Sequence, residues 1–195
     1  MNTSRQNPIT RANPLVNTPF EGSRAQPEPS TLVNVQPRIN IANVSPDAYK
    51  AMSGLERYVR QSGLETSLLE LVRLRASQIN ACAYCIDMHT KDARAAGETE
   101  QRLYALNAWR ETPFYTPRER AALEWTEALT QIATSGAPDD VFERVRSHFT
   151  ESELVNLTMA IVGINGWNRI AISFRAVPGS YERPKEAAAP KEKTA

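Results

Sequence analysis

Thr150-Glu151-Ser152-Glu153, running on into Leu154-Val155-Asn156-Leu157-Thr158-Met159-Ala160-Ile161-Val162, is the stretch that decides the fold. A threonine followed three residues later by glutamate is a capping box, in which each side chain satisfies a free backbone amide at a helix start. The apolar run it opens reaches Phe174 but holds Asn156, Asn165, Asn168 and Arg169. Those polar residues argue against a membrane span, so the spacing predicts a long buried or interface helix. The same signature stands at Thr116-Pro117-Arg118-Glu119. It opens a helix with Ala122, Leu123, Trp125, Ala128, Leu129 and Ile132 at helical spacing.

Working outward, Ser45-Pro46 is an N-cap with proline at the first helical position. Tyr49, Met52, Leu55 and Val59 follow at helical spacing, with Gly63 as the expected stop. A second helix is expected with Leu68, Leu71, Val72 and Ile79 on its apolar side. The next segment holds Cys82 and Cys85 and ends at Gly97, a residue suited to the left-handed turn after a helix. Short helices are expected at Thr99 to Trp109 and Asp139 to Phe149. No segment alternates as a strand would. The architecture is therefore expected to be all-α, a bundle of roughly six to eight helices.

Residues 1–36 place five prolines among Asn, Ser and Thr, and the segment 182–195 is rich in Lys, Glu, Ala and Pro. Neither buries enough apolar surface to offset its ordering entropy, so both are expected to be disordered tails around a single domain at 37–181. The formal net charge is +1, with acids and bases interleaved. Nothing in it marks a nucleic-acid surface, and no apolar run marks a signal peptide or membrane anchor. A cytoplasmic protein is expected. Two cysteines in such a chain point to catalysis or metal binding rather than a structural disulfide.

The chemistry is expected in Asn80-Ala81-Cys82-Ala83-Tyr84-Cys85-Ile86-Asp87-Met88-His89. At helical spacing Cys82, Cys85 and His89 share one face. With the cysteines in the first turn of a helix, free backbone amides and the helix dipole favour a thiolate. His89, one turn past Cys85, can take a proton. A thiolate attacking a hydroperoxide becomes a sulfenic acid, and a second thiol nearby condenses with it to a disulfide. Simpler alternatives are core packing of the two cysteines or a zinc site. Zinc would need a fourth ligand, and the remaining histidine, His148, is remote in sequence.

Glu70, eleven residues, Cys82-x-x-Cys85, three residues, His89 resembles the signature of the AhpD-like alkylhydroperoxidases of the carboxymuconolactone decarboxylase superfamily. The words Leu71 to Asn80, Asp87-Met88-His89 and Trp167-Asn168-Arg169 extend the resemblance over residues 38–180. The resemblance implies an AhpD-like helical bundle and a homo-oligomer. It implies Cys85 as the peroxidatic thiol, Cys82 as the resolving one, His89 in the relay that activates Cys85, and Glu70 holding His89 through water. The implied substrate is a hydroperoxide and the implied reductant an external dithiol, such as a lipoylated protein, with no metal and no cofactor. Tyr84 is a departure, since the founding enzymes carry a second histidine between the cysteines. A redox-responsive regulatory protein with the same disulfide is the alternative. Lactone decarboxylation, which the superfamily name invites, is disfavoured because those members generally lack the cysteine pair.

Overall fold

A computed structural model describes residues 35–183. The tails expected at 1–36 and 182–195 lie almost wholly outside the described residues. Among the described residues there are nine α-helices and no strand. They are α1 Ile41–Val44, α2 Pro46–Arg60, α3 Thr66–Ile79, α4 Ala83–Ala95, α5 Glu100–Ala105, α6 Pro117–Thr130, α7 Ile132–Ser135, α8 Asp139–Arg146 and α9 Glu151–Phe174, with a 3₁₀ helix at Leu106–Glu111. The all-α expectation holds. The one-turn helices α1 and α7 are too short for periodicity to reveal.

Both capping boxes form: the Thr116 and Thr150 hydroxyls accept from the Glu119 and Glu153 amides, and each glutamate reaches back to its threonine's N–H. Removing such a cap typically costs about 1 kcal/mol. Gly97 sits at φ +95 just after α4, where the Gly97 and Glu98 amides close the helix onto Arg94 and Ala93.

The third helix is the centre of the bundle. It packs against α4, α6 and α9, and Leu68 to Leu74, Ala76 and Ser77 are all buried. Sequence reading expected one apolar side; the helix is instead buried nearly all round, as core helices are. Its charged residues Glu70 and Arg73 are therefore drawn into the interior, where a charge persists only if paired. Around it Leu69, Val72, Leu157 and Ile161 fill one cluster and Leu71, Leu74, Leu106 and Leu123 another. Truncating any of these leucines to alanine should cost about 2–5 kcal/mol.

The second and ninth helices pack closely. A side chain at Gly166 would meet Met52 and one at Gly163 would press on Leu55 and Glu56. That approach brings Tyr49 edge-on to Trp167, ring centroids 5.7 Å apart, and carries Glu56 to the interior. On its outer face α9 leaves Val155, Val162 and Ile172 exposed.

Candidate active site

The cysteines lie at the joint between α3 and α4, and the joint has almost no length. After Ile79 the chain closes α3 with two reversed hydrogen bonds, Ala81 N–H to Gln78 O and Cys82 N–H to Ser77 O. This is a Schellman closure, which needs a left-handed residue, commonly glycine, just past the helix. Here that residue is Ala81, at φ +55. An L-residue there costs roughly 1–2 kcal/mol. The residue that completes the closure, Cys82, is also the N-cap of α4. Cys82 thus precedes the first helical turn that sequence reading gave it, and Cys85 lies within that turn.

Both cysteines are free and buried, each 1% exposed, with their sulfurs 2.7 Å apart. That is hydrogen-bond contact, outside the ~2.05 Å of a disulfide. The hydrogen bond from Cys85 holds the Cys82 thiol down to about 7, against the cost of burial. Backbone amides of Cys85 and Tyr84 and the side chain of Asn168 add to the effect. The same shared proton and burial push the Cys85 thiol up. The first negative charge of the pair therefore rests on Cys82, as its N-cap position favours. Access runs the other way. Cys85, His89, Tyr84 and Met88 line a cavity of about 580 Å³, together with Tyr49 and Trp167, and Cys82 is not part of that lining.

His89 Nδ1 is 2.8 Å from Glu70 Oε2. The resemblance implied a water between them; the contact is direct and leaves no room for one. Burial opposes the Glu70 carboxylate, but the hydrogen bond and charge of His89 and the charge of Arg73 outweigh it and hold the carboxyl below its ordinary range. As an ionised carboxylate Glu70 can only accept, so Nδ1 carries the proton and Nε2 is free to act as a base. Two members of this relay were not singled out from sequence. Arg73, 2% exposed, donates to Glu70 at 2.7 Å and to Glu56 at 2.8 Å. The i, i+3 spacing of Glu70 and Arg73 was the available signal; Glu56 comes from another helix and gave none.

A second network, of neutral groups, lies under the sulfurs. Asn168 on α9 is fully buried. It donates to Ser77 Oγ at 3.0 Å, accepts from Asn80 Nδ2 at 2.9 Å, and reaches both cysteine sulfurs. Asn80 also donates to Asn165, which donates to Thr130. Sequence reading placed Asn168 only within the familiar word Trp167-Asn168-Arg169.

Tyr84 lines the cavity where the founding enzymes have a histidine. Burial and the nearby Cys85 raise its phenol above the ordinary value, so it is a wall of the site rather than a base. Glu70, His89 and Asp92 offer ligand atoms within 4.8 Å of one another, as a metal site would. Their atoms are already engaged: Glu70 by Arg73 and His89, and Asp92 by the Tyr181 hydroxyl and Arg183. His148, remote in sequence from the cysteines, lines a different cavity with Trp109 and Arg144.

Comparison with known proteins identifies the family and the fold. The sequence profile of the carboxymuconolactone decarboxylase family matches residues 46–128. The uncharacterized protein YdfG of Bacillus subtilis is 47% identical over 137 residues, covering 70% of this chain and 93% of YdfG. The crystal structure of ATU0492 from Agrobacterium tumefaciens superposes with a TM-score of 0.71 at 50% identity, covering 77% of this chain and all of that one. It is a protein of unknown function, assigned provisionally to antioxidant defence as AhpD. The debrominase Bmp8, with 19% identity and a TM-score of 0.65 over 71% of this chain and 74% of its own, shares the fold. The chain belongs to the carboxymuconolactone decarboxylase family, in its AhpD-like branch.

Proposed function

We propose that the protein is a thiol-dependent alkyl hydroperoxide reductase whose Cys82–Cys85 pair is recycled by an external dithiol. The observation that carries this is a reduced pair, sulfurs 2.7 Å apart, with one sulfur on a cavity shared with a carboxylate-held histidine. The pair loses its first proton to His89 Nε2. The remaining proton crosses the S···S hydrogen bond to Cys82, leaving the thiolate on Cys85. Cys85 attacks the terminal peroxide oxygen, the O–O bond breaks, and the leaving alkoxide takes the proton back from His89. Cys82 then displaces water from the Cys85 sulfenic acid, forming the disulfide. An incoming dithiol supplies two electrons and two protons and leaves as its own disulfide. A dihydrolipoyl arm on a carrier protein is a donor of the right chemistry.

Peroxide consumption with several dithiols, in wild type and Cys85→Ser, is the test. Wild type should turn over and Cys85→Ser should lose even a single turnover. Cys82→Ser should retain one turnover and stop at a trappable sulfenic acid. If both variants consume peroxide like wild type, the redox-regulatory alternative takes its place.

A further inference from the structure

Resting on the hydroperoxidase reading, we propose that the site is built for an anionic long-chain substrate: a hydroperoxide on a single apolar chain that ends in a carboxylate. Three observations converge on this. First, Arg57 and Arg60 line the mouth of the cysteine cavity, exposed and one turn apart on α2. Among the described residues neither has a carboxylate partner. The acids of that cavity are otherwise occupied: Glu56 holds Arg73, and Asp92 holds Tyr181 and Arg183. Glu182 is the one remaining acid of the lining, set against two guanidinium groups. Guanidinium groups of this kind recognise carboxylates through paired hydrogen bonds.

Second, a cavity of about 610 Å³ adjoins the first and is mostly apolar, lined by Ile39, Ile41, Ile170, Phe174 and Val177, with Arg38, whose guanidinium donates to the Ser173 carbonyl, and Asn40 among the rest. The two cavities share Tyr49, Tyr84, Trp167 and Ala171 as a common wall. Third, the ends are set apart along one rigid helix. Eight residues of α2 separate Arg57 from Tyr49, about 12 Å at ~1.5 Å per residue. Cys85 and His89 line the same cavity as both of these. A small neutral peroxide needs neither the arginines nor the apolar extension. A chain with its head at Arg57 and Arg60 and its tail past Tyr49 and Trp167 uses both and passes Cys85 on the way.

The test compares a fatty-acid hydroperoxide with its methyl ester, which keeps the chain and the peroxide but removes the charge. Dithiothreitol, which carries no carboxylate, serves as reductant. Wild type should prefer the free acid in kcat/KM by about tenfold or more, the effect of one charged hydrogen bond. In the double variant Arg57→Gln, Arg60→Gln the ratio of acid to ester should fall toward one, whatever happens to the overall rate. A wild type that does not discriminate, or a double variant that keeps the preference, overturns the proposal. Binding of a hydroxy fatty acid to Cys85→Ser, followed by Trp167 fluorescence, separates this proposal from the reading beneath it. Tight binding that the double variant loses supports the anionic-chain site even if no peroxide is turned over. Turnover of small peroxides with no fatty-acid binding leaves the hydroperoxidase standing and removes this substrate class.

Discussion

The cysteine pair is backed by two polar networks made of different materials. Glu56, Arg73, Glu70 and His89 form a chain of ionic contacts, while Ser77, Asn80, Asn165, Asn168 and Thr130 carry no charge at all. Both are largely buried and both are anchored on α3, through Glu70 and Arg73 in one and Ser77 in the other. The ionic one is built of titratable groups and ends on an imidazole, so its strength varies with pH. The neutral one ends on the sulfurs and holds them at any pH. In the proposed mechanism, proton transfer and thiolate stabilisation thus fall to separate hardware, and each can be damaged without the other.

The largest effect should come from breaking the ionic network at its centre. Arg73→Met leaves two carboxylates facing each other in the interior, and losing one partner of a buried pair costs about 3–5 kcal/mol. Chemical denaturation would measure it; a loss under 1 kcal/mol would mean that water already reaches the cluster.

Next comes the neutral network. Asn168→Leu should destabilise by about 1–3 kcal/mol, because Asn80 and Ser77 lose their buried partner. It should also move the first thiolate titration, followed by ultraviolet absorbance, upward from about 7 toward the ordinary 9.0. Glu70→Gln should leave that titration in place. If Glu70→Gln shifts it as much as Asn168→Leu does, the two networks are not separate.

A smaller, pH-dependent effect distinguishes them further. Glu70 ionises below its ordinary 4.5 in the folded chain. A depressed carboxyl contributes stability that is fully present above 4.5 and is lost as pH falls through the folded value. Thermal melts below pH 4.5 should therefore fall more steeply for wild type than for Glu70→Gln, while Asn168→Leu keeps the wild-type slope.

The smallest effect is expected at Ala81. Glycine there relieves about 1–2 kcal/mol of left-handed strain but adds about 0.5–1 kcal/mol of chain entropy. Ala81→Gly should change stability by a net gain of no more than about 1.5 kcal/mol. A net loss would show that the alanine methyl packs.

The helix starts were legible because their signals are local: Thr116 with Glu119, Thr150 with Glu153, proline after Ser45, and Gly97 after α4. The joint at Ala81 was not, since alanine carries no mark of a left-handed turn and only the two helices around it force one. Glu70 could be chosen over Glu65 only by resemblance, because its partner His89 belongs to another helix. Asn168 and Ser77 are ninety-one residues apart in sequence. No spacing rule reaches that far. The competition between the sulfurs was visible in outline, helix terminus against imidazole. That the first thiolate is Cys82 follows chiefly from the Cys85 hydrogen bond, a contact set by the joint between α3 and α4.

Because Cys82 ends one helix and starts the next, the joint works as a crankshaft with no spare links. One residue more or fewer between Ile79 and Ala83 would break the closure that Cys82 completes and change the direction in which α4 leaves α3. Cys85 and His89 would then swing out of the cavity together, and no side-chain adjustment could return them. Length variation along this chain is thus tolerable in its connecting loops but excluded at this joint, where the count of residues is itself a functional element.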